Sequence, residues 1–131
     1  MRCLLDANAV IAVLRDSLSP IAQRVRQEDP GDVAVSAIVA HELFYGAFNS
    51  SRASHNLALV DALQFPVVDF DKEDARQAGE IRAFLSKSGT AIGPYDVLIA
   101  GQAVARHLVL ITHNTDEFAR VPGLRFEDWE A

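Results

Sequence analysis

Carboxylates set in apolar surroundings are the residues of this sequence that most need a chemical reason. Asp6 interrupts the run "CLLDANAV", where apolar residues stop for a single acid and resume at once. Glu42 lies in "SAIVAHELFYGA", which is otherwise nearly all apolar, and Asp96 follows a Gly-Pro start in "GPYDVLIAGQAVAR". Further on, "THNTDEF" gathers Thr112, Asn114, Asp116 and Glu117 in one short stretch. Acids brought together repel one another, and some take up protons unless a cation relieves them. Hard divalent cations prefer oxygen ligands, and Mg²⁺ takes only a few carboxylates while keeping several waters. Each acid also has an ordinary reading. Asp6 could cap a helix, Glu42 could face solvent, and Asp96 could answer the dipole of a first helical turn. Asp116 and Glu117 could be plain surface charges. One such coincidence is cheap; four at matching places in a fold are not.

Those places follow from the elements. Residues 3–5 read as a short buried strand and 7–15 as a helix with Val10, Ile11, Val13 and Leu14 inward. Pro20 opens a helix to about residue 28, ended by "DPGD", and 33–35 form a second strand. Ser36 is placed to cap a helix over 37–48. That helix is so apolar (Val39, Ala40, Leu43, Phe44, Ala47) that little of it is expected to face water, and Gly46 leaves room for backbone or ligand to approach Glu42. "NSSRAS" reads as a loop, residues 56–63 as helical and 66–68 as a third strand. Asp71 then caps a long amphipathic helix with Ala75, Ala78, Ile81, Phe84 and Leu85 on one stripe. "SKSGTAIG" leads to a helix opened by Pro94, residues 108–111 form a fourth strand, and a short segment runs through "RVPGLRFEDW". Strands alternating with helices at this spacing predict a parallel sheet covered on both faces. Sites in such sheets lie beyond the carboxyl ends of the strands. Asp6 and Thr112 fall at strand ends, and the other acids fall in helices that start there.

With 131 residues the chain reads as one domain, and its net charge of −6 argues against holding nucleic acid by bulk electrostatics. Its single cysteine, Cys3, fits a small core residue in a reducing compartment. No stretch is long and apolar enough to span a bilayer, and no basic leader with a cleavage site opens the chain. The expectation is a soluble, cytoplasmic protein with no membrane partner.

"LLDANAVIAVL", "SAIVAHELFYGA" and "GPYDVLIAGQAVAR" followed by "LITHNTDEFARVPGLRFEDW" resemble the PIN domain, and more closely the VapC ribonuclease toxins of type II toxin–antitoxin pairs. The likeness covers essentially the whole chain. It implies a three-layer α/β/α sandwich with a central parallel sheet of about five strands. It also implies Mg²⁺ or Mn²⁺ held by Asp6, Glu42 and Asp96, with a fourth catalytic acid from "THNTDEF". Glu117 is favoured for that place; Asn8, Thr112, Asn114 and Asp116 are supporting positions. Two departures stand out. Ala7 replaces the usual Thr or Ser after the first aspartate, and Asn114 stands where many relatives have an aspartate. The implied activity is metal-dependent hydrolysis of RNA, tRNA or another structured RNA, to 5′-phosphate and 3′-hydroxyl ends. The implied partners are a VapB-type antitoxin, which would mask the acids with basic residues, and a second copy of the chain, met through the helix bearing Phe44 and Phe48.

Rival chemistries fit less well. His41, His55, His107 and His113 show no metal-ligand or acid–base spacing and read as surface or helix-end residues, with His113 at the presumed rim the one to watch. No Ser–His–Asp set or phosphate loop is present. A receiver domain needs a lysine after a late strand, whereas Lys72 and Lys87 flank a helix. A haloacid-type phosphatase needs D-x-D where this chain has "DAN". The remaining alternative is a non-catalytic PIN domain kept as a binding module. Grip on RNA would have to be local: Arg15, Arg24, Arg26, Arg52, Arg82 and Arg120 are scattered, while Tyr45 and Tyr95 adjoin acidic positions and could stack bases or simply pack.

Overall fold

The computed structural model describes residues 1–130. Its elements run β1 (Cys3–Leu5), α1 (Ala7–Arg15), α2 (Pro20–Gln27), β2 (Val33–Ser36) and α3 (Ala37–Phe48), with a 3₁₀ turn at Pro30–Asp32 before β2. They continue with α4 (Ala53–Asp61), β3 (Val67–Val68), α5 (Lys72–Lys87), α6 (Pro94–Ala105), β4 (Val109–Ile111), α7 (Thr115–Phe118) and β5 (Phe126–Glu127). The five strands form one sheet in the order β3-β2-β1-β4-β5, and every pair is parallel. Helices flank this sheet, as the expected sandwich requires.

Sequence chemistry explains the starts of the helices. Asp6, Ser19, Ser36 and Asp71 each accept a backbone N–H from the first turn they precede. β1 and β2 are buried along their length and apolar except for Ser36 at the end of β2, as suits central parallel strands. Phe118, Leu4, Leu5, Ile21, Leu85, Ile99, Leu110 and Ile111 are the largest wholly buried side chains. α5 and α6 pack so closely that a Cβ on Gly101 would lie 2.5 Å from the Ala78 Cα.

Three expectations are corrected. Ile11 and Leu14 of α1 are 39% and 40% exposed, because they face an open cleft and not the core. On α5 the buried row is Asp74, Ala78, Ile81 and Leu85, so Ala75 and Phe84 lie outside it. The aromatic side of α3 is open, with Tyr45 and Phe48 63% and 67% exposed. In addition, α4 begins at Ala53, taking in part of the expected loop.

The sheet order fixes where a site can form. From β1 the chain builds outward through β2 and β3, then crosses to the other side of β1 for β4 and β5. The strand order therefore reverses at β1, and crevices in open parallel sheets lie beyond the carboxyl ends at such a reversal. Leu5 is in register with Val35 and with Ile111, so Asp6 and Thr112 leave the sheet at the level where Ser36, still paired with Val68, ends β2.

Candidate active site

Asp6 does both jobs that its position suggests. It ends β1, where its N–H donates to the Ile111 carbonyl at 3.1 Å, and its Oδ1 accepts the Ala9 N–H of α1 at 2.8 Å. Only 6% of it is exposed, and burial raises its pKa, with the Asp128 charge adding to the effect. The Thr112 hydroxyl, the Ala9 N–H and His113 act the other way. Thr112 is itself buried, and its Oγ1 accepts the Asn114 N–H at 3.0 Å.

Glu42 reaches the same place from α3. Burial raises its pKa, and the charge of Asp6 raises it further. Its Oε1 is buried without a hydrogen-bond partner. Asp96 comes from the first turn of α6 and is pushed up to about 6, by burial first and then by the charges of Glu117, Glu42 and Asp6. Glu117, from α7, is held low instead. Gly93 donates its N–H to Oε1 at 2.8 Å, the Asn114 amide donates to Oε2, and Asp96 and Arg120 favour its ionised form. Thus Asp96 senses the charges of three carboxylates from segments distant in sequence, and Glu42 senses that of Asp6. Among the described residues no salt bridge reaches any of them.

This donor set is made of hard carboxylate oxygens, one of them buried and unpaired. In type its oxygens suit a divalent cation of the Mg²⁺ or Mn²⁺ kind, and the set would be costly without one, although among the described residues no three of the four bring ligand atoms within 4.8 Å of one another. The supporting positions divide. Thr112 and Asn114 are hydrogen-bonded to the site. Asn8 is exposed and lines, with Glu42, Ile11, Leu14 and Leu59, an open cleft of about 450 Å³. Asp116 is exposed and takes part in none of these hydrogen bonds. Gly46 borders the cleft, but a Cβ there would meet nothing within 4 Å, so no backbone approaches it closely.

Two features escape sequence reasoning. A Cβ on Gly93 would lie 3.0 Å from Asp96 Oδ2, so this glycine clears space for the acid while its N–H orients Glu117. In the sequence "GPYD" signals only a helix start, because the partner of the Gly93 N–H lies 24 residues away. Beside Asp6, His113 Nδ1 lies 2.9 Å from Asp128 Oδ2, and His113, Asp128 and Glu130 bring ligand-type atoms within 4.8 Å of one another. His113 was legible from its place after Thr112; Asp128 and Glu130 arrive only through the pairing of β5 with β4. The histidine readings otherwise hold where the chain tests them: His107 ends α6 at a positive φ of 57°.

An all-parallel sheet with acids gathered beyond a strand-order reversal is the architecture of an α/β protein of the PIN type. The PIN-domain family profile matches residues 3–124. The tRNA(fMet)-specific endonuclease VapC of Salmonella typhimurium is 39% identical over 98% of both chains, and Ribonuclease VapC2 of Haemophilus influenzae is 36% identical over the same share. Among solved structures, the DNA-bound VapBC of Salmonella typhimurium matches with a TM-score of 0.94 at 39% identity, covering 98% of both chains. VapBC-1 of nontypeable Haemophilus influenzae matches with a TM-score of 0.90 at 32% identity over 100% of both chains. The chain belongs to the PIN-domain family and, within it, to the VapC group.

Proposed function

We propose that this chain is the toxin of a type II toxin–antitoxin pair, an endoribonuclease that hydrolyses RNA to 5′-phosphate and 3′-hydroxyl ends with Mg²⁺ or Mn²⁺. The observation that carries this reading is the gathering of Asp6, Glu42 and Glu117 around Asp96, which is pushed up to about 6 by burial first and then by those acidic neighbours. Asp6, Glu42 and Asp96 would hold the cation, and Glu117, oriented by Gly93 and Asn114, would complete the set. What a cation supplies in such a place is a lowered pKa for water and neutralisation of charge developing on the phosphate. Thr112 and the α1 N-terminus keep the Asp6 carboxylate aimed, and Glu117, held ionised, can accept a proton from attacking water. A non-catalytic binding module would have no use for a buried, unpaired Glu42 oxygen, and relatives of 36–39% identity are named nucleases.

RNA of the tRNA class is the substrate we favour, since the Salmonella relative is named for tRNA(fMet). The partner is a VapB-type antitoxin, because related chains form VapBC complexes. The cleft beside Glu42, with Ile11, Leu14 and Leu59 exposed along it, offers such a partner an apolar seat next to the acids. Phe44 and Phe48 remain our contact for a homodimer, and the cytoplasm our location. No helix among the described residues is long and apolar enough to cross a membrane.

The deciding experiment incubates antitoxin-free protein with total tRNA in Mg²⁺, Mn²⁺ or EDTA, beside Asp96→Asn, and maps the product ends. Metal-dependent cleavage that leaves 5′-phosphates and disappears in the variant is the expected result. Cleavage surviving both EDTA and the substitution overturns the acidic-site mechanism.

A further inference from the structure

The rings of His41 and Tyr95 meet where α3 and α6 bring their acids together. His41 immediately precedes Glu42 and Tyr95 immediately precedes Asp96. Their centroids lie 5.6 Å apart at an interplanar angle of 61°, an edge-on contact between two helices. His41 is exposed and Tyr95 is 46% exposed, so much of the rings' surface stays open to solvent. Tyr45 lies one turn beyond His41 on the same side of α3 and is 63% exposed, which extends the row.

Core packing does not explain this pair, because neither ring is buried. Charge excludes the commonest way of holding RNA here. The chain carries a net −6, the rings directly precede Glu42 and Asp96, and Asp96 senses the charges of Glu117, Glu42 and Asp6, so the surroundings are acidic and disfavour a phosphate. A base needs no cationic wall, since stacking on an aromatic face is insensitive to the sign of the surrounding charge and tolerant of base identity. His and Tyr also carry polar edges that stay hydrated when no base is present.

We propose that His41 and Tyr95, extended by Tyr45, stack an unpaired base next to the phosphate to be cut, making them positioning residues that select an unstacked RNA segment. This rests on the endoribonuclease reading above. A second copy of the chain is the rival occupant, because Phe44 and Phe48 share this side of α3 with His41 and Tyr45 and Phe48 is 67% exposed. The polar edges of His41 and Tyr95 favour the base, and the mass measurement below separates the two.

The test compares wild type, Tyr95→Ala, His41→Ala and Tyr95→Phe in steady-state cleavage of tRNA with Mn²⁺. Alongside it, fluorescence anisotropy follows a labelled oligouridine binding to Asp96→Asn protein in Mg²⁺, with and without Tyr95→Ala. Each alanine variant is expected to raise KM roughly 5- to 150-fold while kcat changes little, because the contact is made equally before and during reaction. Tyr95→Phe keeps wild-type KM, oligouridine binding falls by a similar factor, and the melting temperature and the mass by light scattering stay unchanged. Unchanged KM in folded Tyr95→Ala and His41→Ala overturns the platform while leaving the nuclease standing. So does a fall from dimer to monomer with activity recovered at high protein concentration, which assigns the pair to a protein contact. If wild type cleaves no RNA but Tyr95→Ala still weakens oligouridine binding, the platform stands and the nuclease reading falls.

Discussion

Asp74 and Asp96 occupy the same third position of neighbouring helices, α5 and α6, and both are drawn out of water, yet their partners differ in kind. Asp74 is 1% exposed and fully served: Asp71 donates its N–H at 3.0 Å, Gln102 its amide at 3.0 Å and Arg106 its guanidinium at 2.9 Å. Despite its burial, those donors hold its pKa below the ordinary carboxylate value. At Asp96 the equivalent cap residue is Gly93, and its N–H goes to Glu117 at 2.8 Å. Asp96 is left facing Glu117, Glu42 and Asp6, and burial together with their charges raises its pKa to about 6. One helix supplies both situations, since Gln102 and Arg106 at the C-terminal end of α6 satisfy Asp74 while its first turn presents Asp96. A buried acid given its donors is a fastening; one set among acids is left without a counter-charge, which is what the proposed cation would supply.

The sharpest way to break this comparison is to neutralise each side. Asp96→Asn is expected to reduce RNA cleavage at least roughly 100-fold, because even residues one step removed from a metal cost 10- to 100-fold. Its metal-free melting temperature should stay level or rise, since a repulsion is removed. Loss of cleavage together with a marked loss of stability would show that Asp96 is structural after all. Arg106→Ala should do the reverse. It strands the Asp74 carboxylate and should destabilise by about 2–4 kcal/mol, less than a wholly buried pair because Arg106 is partly exposed, with cleavage per folded molecule unchanged. Denaturant unfolding and active-site titration separate the two effects.

The two regions also carry opposite pH signatures. Asp74, with its pKa lowered, contributes stability that is present above its unfolded pKa and is lost as pH falls through its folded value. Asp96, with its pKa raised to about 6, binds more protons folded than unfolded between about pH 4 and 6. The metal-free protein should therefore lose stability as pH rises through that window. Mg²⁺ at about 100 times its Kd should add roughly 2.7 kcal/mol at about pH 7, and little in Asp96→Asn. A metal-free melting temperature that rises steadily from about pH 5 to pH 7 would contradict the acid coupling.

The difference between the two regions also marks what the sequence made legible. The parallel sheet, the caps at Asp6, Ser36 and Asp71 and the candidate acids could all be read from apolar runs and local punctuation. Period and capping act over a few residues, and the strand-end rule then gathers Asp6, Glu42 and Asp96. The sequence leaves the fourth position open among Asn114, Asp116 and Glu117, with Glu117 favoured, because they crowd into one short turn whose facing towards Gly93 depends on tertiary packing. The open sides of α1 and α3 misled for a related reason, since apolar residues forming a cleft look like residues filling a core. Asp74 drew no notice at all, because its partners Gln102 and Arg106 lie on another helix. The contact of Asp128 with His113 was likewise set by strand pairing.

The smallest effect tests how finely the site is shaped. Gly93 has φ −55° and ψ 148°, a backbone that alanine adopts freely, so Gly93→Ala introduces no strain and retains the N–H to Glu117. The added methyl would sit 3.0 Å from Asp96 Oδ2, tighter than carbon and oxygen normally approach, and the carboxylate must turn aside by a few tenths of an ångström. Such a shift moves one oxygen within a set that a small cation reads closely, since Mg²⁺ demands near-ideal geometry. Cleavage should fall roughly 10-fold, the low end of the range for residues beside a metal ligand, and Mn²⁺ should recover part of it. Thermal stability should be unchanged within a few tenths of a kcal/mol. A Gly93→Ala protein as active as wild type in Mg²⁺ would mean that Asp96 has slack, and that its raised pKa reflects crowding among the acids without a fixed orientation.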